Sequence, residues 1–187
     1  MSMDNGASSY RRFLDGDDSG FVEIIRDYNE GLTFYLFGIV GDLNLAQDLT
    51  EDTFVRIITK KPKFSAKSMF KTWLYAIGRN VAKDYIRRIS KVTQVSVDEC
   101  ADLSDMDLSP LDAYIKEEQK RELHCALAKL CTDYRQALWL VYFEEMSLKD
   151  VAQVMGRSQH ACETLLYRAR KSLKAELEKE GFVYERL

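Results

Sequence analysis

The sequence has few of the residues that interrupt helices: its 187 residues include only two prolines and nine glycines. Long runs of helix-favouring residues lie between them, which predicts an all-α fold. No apolar run approaches the roughly 20 residues that a membrane-spanning helix requires. The first residues, MSMDNGASSYRRFLDGDDSG, are polar and lack the apolar core of a signal peptide. We therefore expect a cytoplasmic protein of one or two domains that does not insert into a membrane.

Residues suited to catalysis or metal binding are also scarce. The chain has two histidines and lacks a phosphate-binding glycine loop, an HExxH motif and a nucleophile elbow, so we expect neither an enzyme nor a cofactor. The four cysteines form no CxxC pair and no disulfide framework, which predicts reduced structural thiols. One set of candidate metal ligands has a spacing that fits no common zinc pattern, so no metal site is predicted: His124, Cys125, Cys131 and His160.

Charge is strongly segregated in a chain whose formal net charge is only -3. Residues 56–91 carry eleven basic side chains and one acid, Asp84, and they are interleaved with aromatic residues. Arg79, Lys83 and Arg87 lie four residues apart, on one ridge of a helix, where like charges repel unless an anion meets them. Phosphate is the obvious anion, so this segment is a candidate nucleic-acid surface. An acidic patch precedes it: Asp42, Asp48, Glu51 and Asp52.

The first half of the chain has the periodicity of three helices. Apolar residues at helical spacing predict helices over about 21–39, 45–58 and 68–88. Gly41 ends the first helix, and a loop rich in Lys and Ser, residues 63–68, precedes the third. The predicted core residues are Leu49, Thr53, Val55 and Ile58 in the second helix and Trp73, Leu74, Ile77 and Val81 in the third.

A linker separates this half from a second helical domain. Residues 90–111 hold five acids and one base, show no helical period and end near a Ser-Pro pair. We therefore predict domains at 1–89 and 112–187, joined by a flexible acidic linker at 90–111.

The sequence of the second domain contains several helix-capping residues, one after another. Thr132 or Asp133 can cap a helix that runs to about Glu145. Ser147, followed three residues later by Asp150, forms a capping box for a short helix over 148–155. Gly156 and Ser158 then provide an end signal and a new cap for a helix to about residue 180.

Two helices joined by a glycine-containing turn predict a helix-turn-helix, whose second helix enters the major groove with its first turns. Its inward stripe would be Cys162, Leu166, Ala169 and Leu173. The residues available to DNA are Ser158, Gln159, His160, Glu163, Thr164, Tyr167, Arg168, Arg170 and Lys171.

Three motifs in order give the chain a family resemblance over about residues 18–178. They are GDLNLAQDLTEDTFVRI (41–57), KTWLYAIGRNVAKDYIRR (71–88) and SLKDVAQVMGRSQHACETLLYRARKSL (147–173). The chain resembles a bacterial sigma factor of the sigma-70 family, in the extracytoplasmic-function (ECF) group. These factors consist of sigma regions 2 and 4, which the resemblance assigns to 1–89 and 112–187.

The resemblance implies a transcription initiation factor that binds core RNA polymerase and recognises the -10 and -35 promoter elements. The implied polymerase partners are the beta-prime clamp helices and the beta flap. The implied polymerase-binding residues, on the second helix, are Asp48, Leu49, Glu51, Asp52, Phe54 and Arg56.

For the -10 element, the resemblance implies that the loop before the third helix captures a base flipped from the non-template strand. Phe64 would supply the stacking surface, and such stacking is worth roughly 1–3 kcal/mol per base. The implied -10 residues are Lys63, Phe64, Ser65, Lys67, Arg79, Asn80, Lys83 and Arg87.

The recognition helix departs from the family pattern. Where family members often have GTVKSRLxRAR, this chain has HACETLLYRAR (160–170), so the usual Lys is Glu163 and the usual Arg is Leu165. A carboxylate can accept a hydrogen bond from cytosine in the major groove, but it repels phosphate. We therefore expect the docking mode of the family with a distinct -35 preference.

The residues leave one alternative function, a helix-turn-helix regulator that is not a polymerase subunit. Such regulators usually dimerise to read two half-sites, and no dimerisation module is apparent. The sigma interpretation implies a protein that is monomeric when free. It also implies an anti-sigma factor, often membrane-anchored, as a further partner.

Overall fold

The computed structural model describes residues 5–65, 67–93 and 118–179, and the regular secondary structure of this part of the chain is all helix, without strands. The predicted all-α fold of two helical domains is therefore confirmed. The helices are α1 (Asn5–Leu14), α2 (Ser19–Val40), α3 (Leu43–Lys60), α4 (Phe70–Thr93), α5 (Glu118–Ala128), α6 (Thr132–Tyr142), α7 (Leu148–Met155) and α8 (Gln159–Lys179).

Helix α1 was missed by the sequence analysis, which took the first residues only as a polar start. It packs against α2 and α4, and it buries Tyr10 and Phe13. The Tyr10 ring lies 5.1 Å from the Trp73 ring, and the Tyr10 hydroxyl donates to the Pro62 carbonyl at 2.8 Å. Helix α1 thus holds the end of α3 and the start of α4 together.

Helices α2 and α3 form a tight pair joined by two residues. Gly41 adopts the left-handed conformation at φ 77° that ends α2, as predicted. Asp42 then accepts a hydrogen bond from the Leu45 amide at 2.8 Å and caps α3, a contact worth about 1 kcal/mol.

The predicted core face of α3 was partly wrong. Leu49 and Thr53 are buried, but Val55 and Ile58 are 55% and 40% exposed. At 3.6 residues per turn, the buried face continues through positions 54 and 57, so residues 55 and 58 turn toward solvent. Phe54 and Ile57 fill the core in their place.

Helix α4 lies against α2 and α3 and is the longest helix of the described residues. Leu74 and Val81 are buried as predicted, whereas Trp73 and Ile77 pack at the edge of the core and are half-buried. The helix continues to Thr93, so residues 90–93 of the predicted linker are helical. Residues 94–111, the rest of that linker, lie outside the described residues.

The second domain contains the predicted helix-turn-helix, made by α7 and α8. Ser147 caps α7 by accepting from the Asp150 amide, Gly156 ends it at φ 64°, and the Ser158 hydroxyl accepts from the Ala161 amide at 3.2 Å. The inward stripe of α8 is buried as predicted, together with Leu165 and Leu177.

The predicted cap of α6 was wrong. Cys131 occupies the N-cap position, and its side chain makes no capping hydrogen bond. Asp133 instead forms an ion pair with Arg157, which follows the turn after α7. This pair connects the start of α6 to the helix-turn-helix.

The two domains pack directly on each other. Helix α2 contacts α6, and α4 contacts α7. On the α2 side, the Arg135 guanidinium donates through Nε to the Gly38 carbonyl at 2.8 Å, and the Phe34 ring lies 6.0 Å from the Trp139 ring. The basic segment therefore lies beside the second domain.

Candidate functional site

The outer face of α3 is acidic at its start. Asp48, Glu51 and Asp52 are exposed, while Arg56 is half-buried with Nη1 3.9 Å from the Asp84 carboxylate of α4. Three carboxylates on two successive turns form a surface suited to a basic partner.

Two residues assigned to this surface do not reach it. Leu49 and Phe54 are buried, because they lie on the face of α3 that packs into the core. The Phe21 and Phe54 rings meet edge to face at 6.0 Å. The assignment of Leu49 and Phe54 as residues that contact a partner is therefore wrong, because both side chains are buried in the core.

A basic cleft runs between α3 and α4. It is an open cleft of about 500 Å³, where four cations outnumber two carboxylates. Arg56 and Arg87 both approach the carboxylate of Asp84, at 3.9 and 3.4 Å. The lining residues that carry charge are Asp52, Arg56, Lys60, Asp84, Arg87 and Arg88.

The loop that precedes α4 combines exposed cations with a half-buried aromatic ring. Lys63, Ser65 and Lys67 are exposed. Phe64 is half-buried, with its ring 5.7 Å from the Phe70 ring. The loop thus places cations around an aromatic ring that still has part of its surface in solvent, an arrangement suited to an extruded base and its phosphates.

The predicted ridge on α4 is only partly exposed. Arg87 is exposed and Lys83 is half-buried, but Arg79 is only 7% exposed. The Arg79 Nε donates to the amide oxygen of Gln136 in α6 at 2.8 Å. Arg79 therefore does not share the solvent-facing ridge in this structure, because the second domain covers it. Asn80, the next residue, is exposed.

The recognition helix α8 exposes every residue assigned to DNA. Tyr167 is 70% exposed, and Arg170 donates through Nε to the Tyr142 hydroxyl at 2.9 Å. The departure at Leu165 has a structural reason, because this side chain is 8% exposed and belongs to the core. At Glu163, the carboxylate lies 3.6 Å from Nδ1 of His160 on the outer face. The other residues on that face are Ser158, Gln159, Thr164, Arg168 and Lys171.

Metal ligands are not gathered in the described part of the chain, where no group of three or more His, Cys, Asp or Glu could hold an ion. His124 lies between aromatic rings instead, 5.8 Å from Trp139 and 5.6 Å from Phe143, and burial lowers its pKa. Across residues 5–65, 67–93 and 118–179, no helix has the length and apolarity needed to cross a bilayer.

A helix-turn-helix with an exposed recognition helix, together with a basic, aromatic segment in another helical domain, is typical of a DNA-binding protein of transcription. Family models agree with that class. The model of sigma-70 region 2 matches residues 24–92, and the model of sigma-70 region 4 matches residues 120–173.

Relatives cover most of the chain. The RNA polymerase sigma factor YlaC of Bacillus subtilis is 30% identical over 158 residues, which are 84% of this chain and 91% of the relative. The ECF RNA polymerase sigma factor SigM of the same species is 31% identical over 154 residues, 82% of this chain and 92% of the relative. The structure of CnrH in complex with the cytosolic domain of CnrY has a TM-score of 0.65 at 22% identity, and it covers 94% of this chain and 96% of that one.

The chain belongs to the ECF group of the sigma-70 family of RNA polymerase sigma factors. It is therefore a promoter-specific transcription initiation factor that acts with RNA polymerase, and the alternative of an independent regulator is not favoured. Sequence reasoning missed the polar contacts between the domains, including Gln136 and Glu144. These residues are isolated in the sequence and belong to no motif.

Proposed function

We propose that this sigma factor divides its work among three surfaces. The acidic face of α3 docks on the beta-prime clamp helices of core polymerase. The basic segment of α4 and the loop before it open and hold the -10 element. The recognition helix α8 reads the -35 element, while its domain meets the beta flap. The observation that carries this assignment is the separation of exposed acids on α3 from exposed bases on the loop and on α4.

The acidic face of α3 is suited to docking because its carboxylates are exposed and can contact a partner. Asp48, Glu51 and Asp52 are exposed and held in fixed register by a helix whose opposite face is in the core. Electrostatic complementarity of this kind accelerates association and selects partners more than it adds affinity.

The loop before α4 supports capture of a single strand. Opening a duplex costs a few kcal/mol for each unstacked base. Stacking on an aromatic ring returns roughly 1–3 kcal/mol per base, and basic side chains hold the displaced backbone. Phe64, with Lys63 and Lys67 on either side of it, provides both contributions.

The recognition helix supports duplex reading because its first turns are polar and exposed. Glu163 and Thr164 lie where the first turns of such a helix meet base edges, and Arg168 and Lys171 lie further along the helix, about one and two turns beyond them, where contacts to the DNA backbone are proposed. Contacts to phosphate position the protein, and contacts to base edges give it specificity.

Run-off transcription tests the assignment. Core polymerase would be incubated with the chain and with fragments of the source genome, and discrete transcripts are expected only when the chain is present. The matched control is the chain with Asp48 and Asp52 replaced by Lys, which should give none. If no fragment yields a transcript that depends on the wild-type chain, the proposed function is wrong.

We further propose that the protein is monomeric when free, works in the cytoplasm as a binding factor rather than an enzyme, and is regulated by an anti-sigma factor. The RpoE structure from Bartonella quintana, solved with the anti-sigma factor NepR, has a TM-score of 0.65 at 23% identity and covers 84% of this chain and 96% of that one. A protein of that class would compete for the same faces of the two domains.

A further inference from the structure

Helix α1 contacts the start of the loop before α4, the loop that is proposed to capture a base. The Tyr10 side chain is only 1% exposed, and its hydroxyl donates to the Pro62 carbonyl at 2.8 Å. Pro62 directly follows Lys61, the residue that caps the end of α3. The hydrogen bond therefore fixes the point at which the chain leaves α3 and enters the loop.

Lys61 makes a second contact between α1 and the start of this loop. Its φ is 39°, a left-handed conformation that residues other than glycine seldom adopt. The Lys61 Nζ lies 4.9 Å from the centroid of the Phe13 ring, within the range of a cation–π interaction. One turn of α1, from Tyr10 to Phe13, thus holds the backbone of one loop residue and the side chain of its neighbour.

The ring of Phe64 is connected to α1 through two rings of α4. It lies 5.7 Å from the Phe70 ring and 5.4 Å from the Trp73 ring. The Tyr10 ring packs on the same two rings, at 5.6 and 5.1 Å. Aromatic pairs favour separations of this size. The position of Phe64 therefore depends on α1 as well as on α4.

Helix α1 is itself anchored to α2 by polar contacts. The Ser9 hydroxyl donates to the Glu23 carboxylate at 2.7 Å, and Nη2 of Arg12 lies 3.1 Å from the same carboxylate. The hydrogen bonds from Ser9 and Arg12 lower the pKa of Glu23. These contacts give the Tyr10 side chain a fixed base from which to hold the loop.

We propose that Tyr10 is a positioning residue for base capture, which holds the loop before α4 in the conformation where Phe64 can stack on the extruded base. The inference rests on the proposed function of that loop. Tyr10 acts through Pro62 and the rings of α4, because its own side chain is buried. A loop that is ordered in advance loses less conformational entropy on binding than one that is ordered by its ligand.

Loss of the Tyr10 hydroxyl should weaken capture without abolishing it. One intramolecular hydrogen bond changes an equilibrium constant by a factor of roughly 2–10. Without the bond to Pro62, only part of the molecules would hold the loop in place. If that part is about one in five, the apparent Kd, which is the intrinsic Kd divided by this fraction, rises about fivefold. We expect Tyr10→Phe to have this effect.

The test uses the full chain bound to core polymerase. Fluorescence anisotropy would measure the affinity for a labelled non-template -10 oligonucleotide from a promoter found by run-off transcription. A series of the same oligonucleotide has an abasic site at each position in turn. The captured base is the one whose removal weakens binding by the wild type but not by Phe64→Ala. Tyr10→Phe should bind the intact oligonucleotide about fivefold more weakly and the one without that base as the wild type does.

A double-mutant cycle tests whether Tyr10 acts through Phe64. In Phe64→Ala no ring remains to be positioned, so adding Tyr10→Phe should cause no further loss of affinity. The matched control is Tyr35→Phe, because Tyr35 is also 1% exposed and donates to the Gln136 amide oxygen at 3.2 Å, away from the loop. This control should bind every oligonucleotide as the wild type does.

Gly6→Ala gives an independent way to move α1. A Cβ at Gly6 would lie 2.6 Å from the Tyr28 hydroxyl oxygen and closer still to the ring of Phe70, on which Phe64 packs. The added methyl group must displace α1 or Phe70, so the same base-dependent loss of affinity is expected. Gly38→Ala is its control, since the nearest atom to a Cβ there is 3.5 Å away.

Four results would overturn the positioning role of Tyr10. They are wild-type affinity of Tyr10→Phe for the intact oligonucleotide, an equal loss with and without the captured base, an additive loss in the double variant, and a loss of the same size in Tyr35→Phe. An error in the proposed function would appear differently. No abasic position would then distinguish the wild type from Phe64→Ala, and the loop would capture no base.

Discussion

The ring of Phe64 lies 5.4 Å from that of Trp73, with the two planes inclined at 59°. A residue of the loop before α4 thus packs on an aromatic ring at the edge of the core of the first domain. The support limits the ring to a narrow range of positions, and a binding surface that is ordered in advance costs less entropy when a base stacks on it.

This arrangement predicts the effect of Phe64→Ala. Promoter opening should weaken by roughly 1–3 kcal/mol, the worth of one stacked base, while binding to core polymerase should remain close to normal. Phe64→Tyr is the matched control, because it retains the ring. Opening can be followed by permanganate reactivity of unpaired thymines. Loss of the folded state in Phe64→Ala, seen by circular dichroism, would show that the ring is a core residue.

The acidic face of α3 predicts a second outcome. Replacing Asp48 and Asp52 by Lys should abolish retention of the chain on immobilised core polymerase, because both carboxylates are exposed on that face. Helical content should be preserved, since exposed charges contribute little to stability. The control reverses two exposed acids elsewhere, Asp15 and Glu30. Equal retention of the two variants would exclude α3 as the docking surface.

Two glycines of α2 test how closely the domains approach. A Cβ at Gly31 would lie 2.6 Å from the Tyr75 hydroxyl oxygen and 2.7 Å from Oε1 of Glu144, whereas at Gly38 the nearest atom, Cγ of Arg135, is 3.5 Å away. Gly38→Ala should therefore raise the free energy of unfolding by about 0.4–1 kcal/mol. Gly31→Ala should show no such gain, because its methyl group must displace the interface. Urea denaturation measures both, and equal gains would contradict the close approach.

The helical periods and caps of this chain could be predicted because they depend on neighbours in sequence. Ser147, Gly156 and Ser158 mark the helix-turn-helix with signals only a few residues apart. The contact of Arg79 with Gln136 joins residues 57 positions apart, and neither residue belongs to a pattern that names the other. The spacing of Arg79 also fits an exposed basic ridge on α4. Only the packing of the second domain on α4 shows that the Arg79 side chain is buried.

His124 predicts a dependence of stability on pH. Its pKa is lowered by burial, so between the folded value and the ordinary value of about 6.5 the unfolded chain binds more protons than the folded one. The free energy of unfolding must then decrease as pH falls through that interval. His124→Leu should reduce this decrease, measured between about pH 7.5 and pH 6, above the range where carboxylates titrate. A His124→Leu variant with the same slope as the wild type would contradict the assignment of this dependence to His124.

Two residues of the recognition helix, Lys171 and Glu163, are proposed to have different roles: Lys171 positions the helix on the DNA, and Glu163 contacts a base. Lys171 is exposed on α8, two turns beyond Glu163, and its proposed partner is a phosphate. Lys171→Ala should therefore weaken binding to all -35 sequences alike, and it should reduce the salt dependence by about 0.9 of a counterion in the slope of log K against log salt.

Glu163→Lys should act on sequence preference as well as on affinity. Removing a carboxylate that repels phosphate should raise the affinity for DNA generally. Loss of its hydrogen bond to a base should also change the preferred base at one -35 position, by roughly 1–3 kcal/mol of discrimination. Binding would be measured by competition among single-base variants of a promoter found by run-off transcription. A preference profile identical to that of the wild type would show that Glu163 contacts no base, since a change of charge alone raises the affinity for every sequence equally.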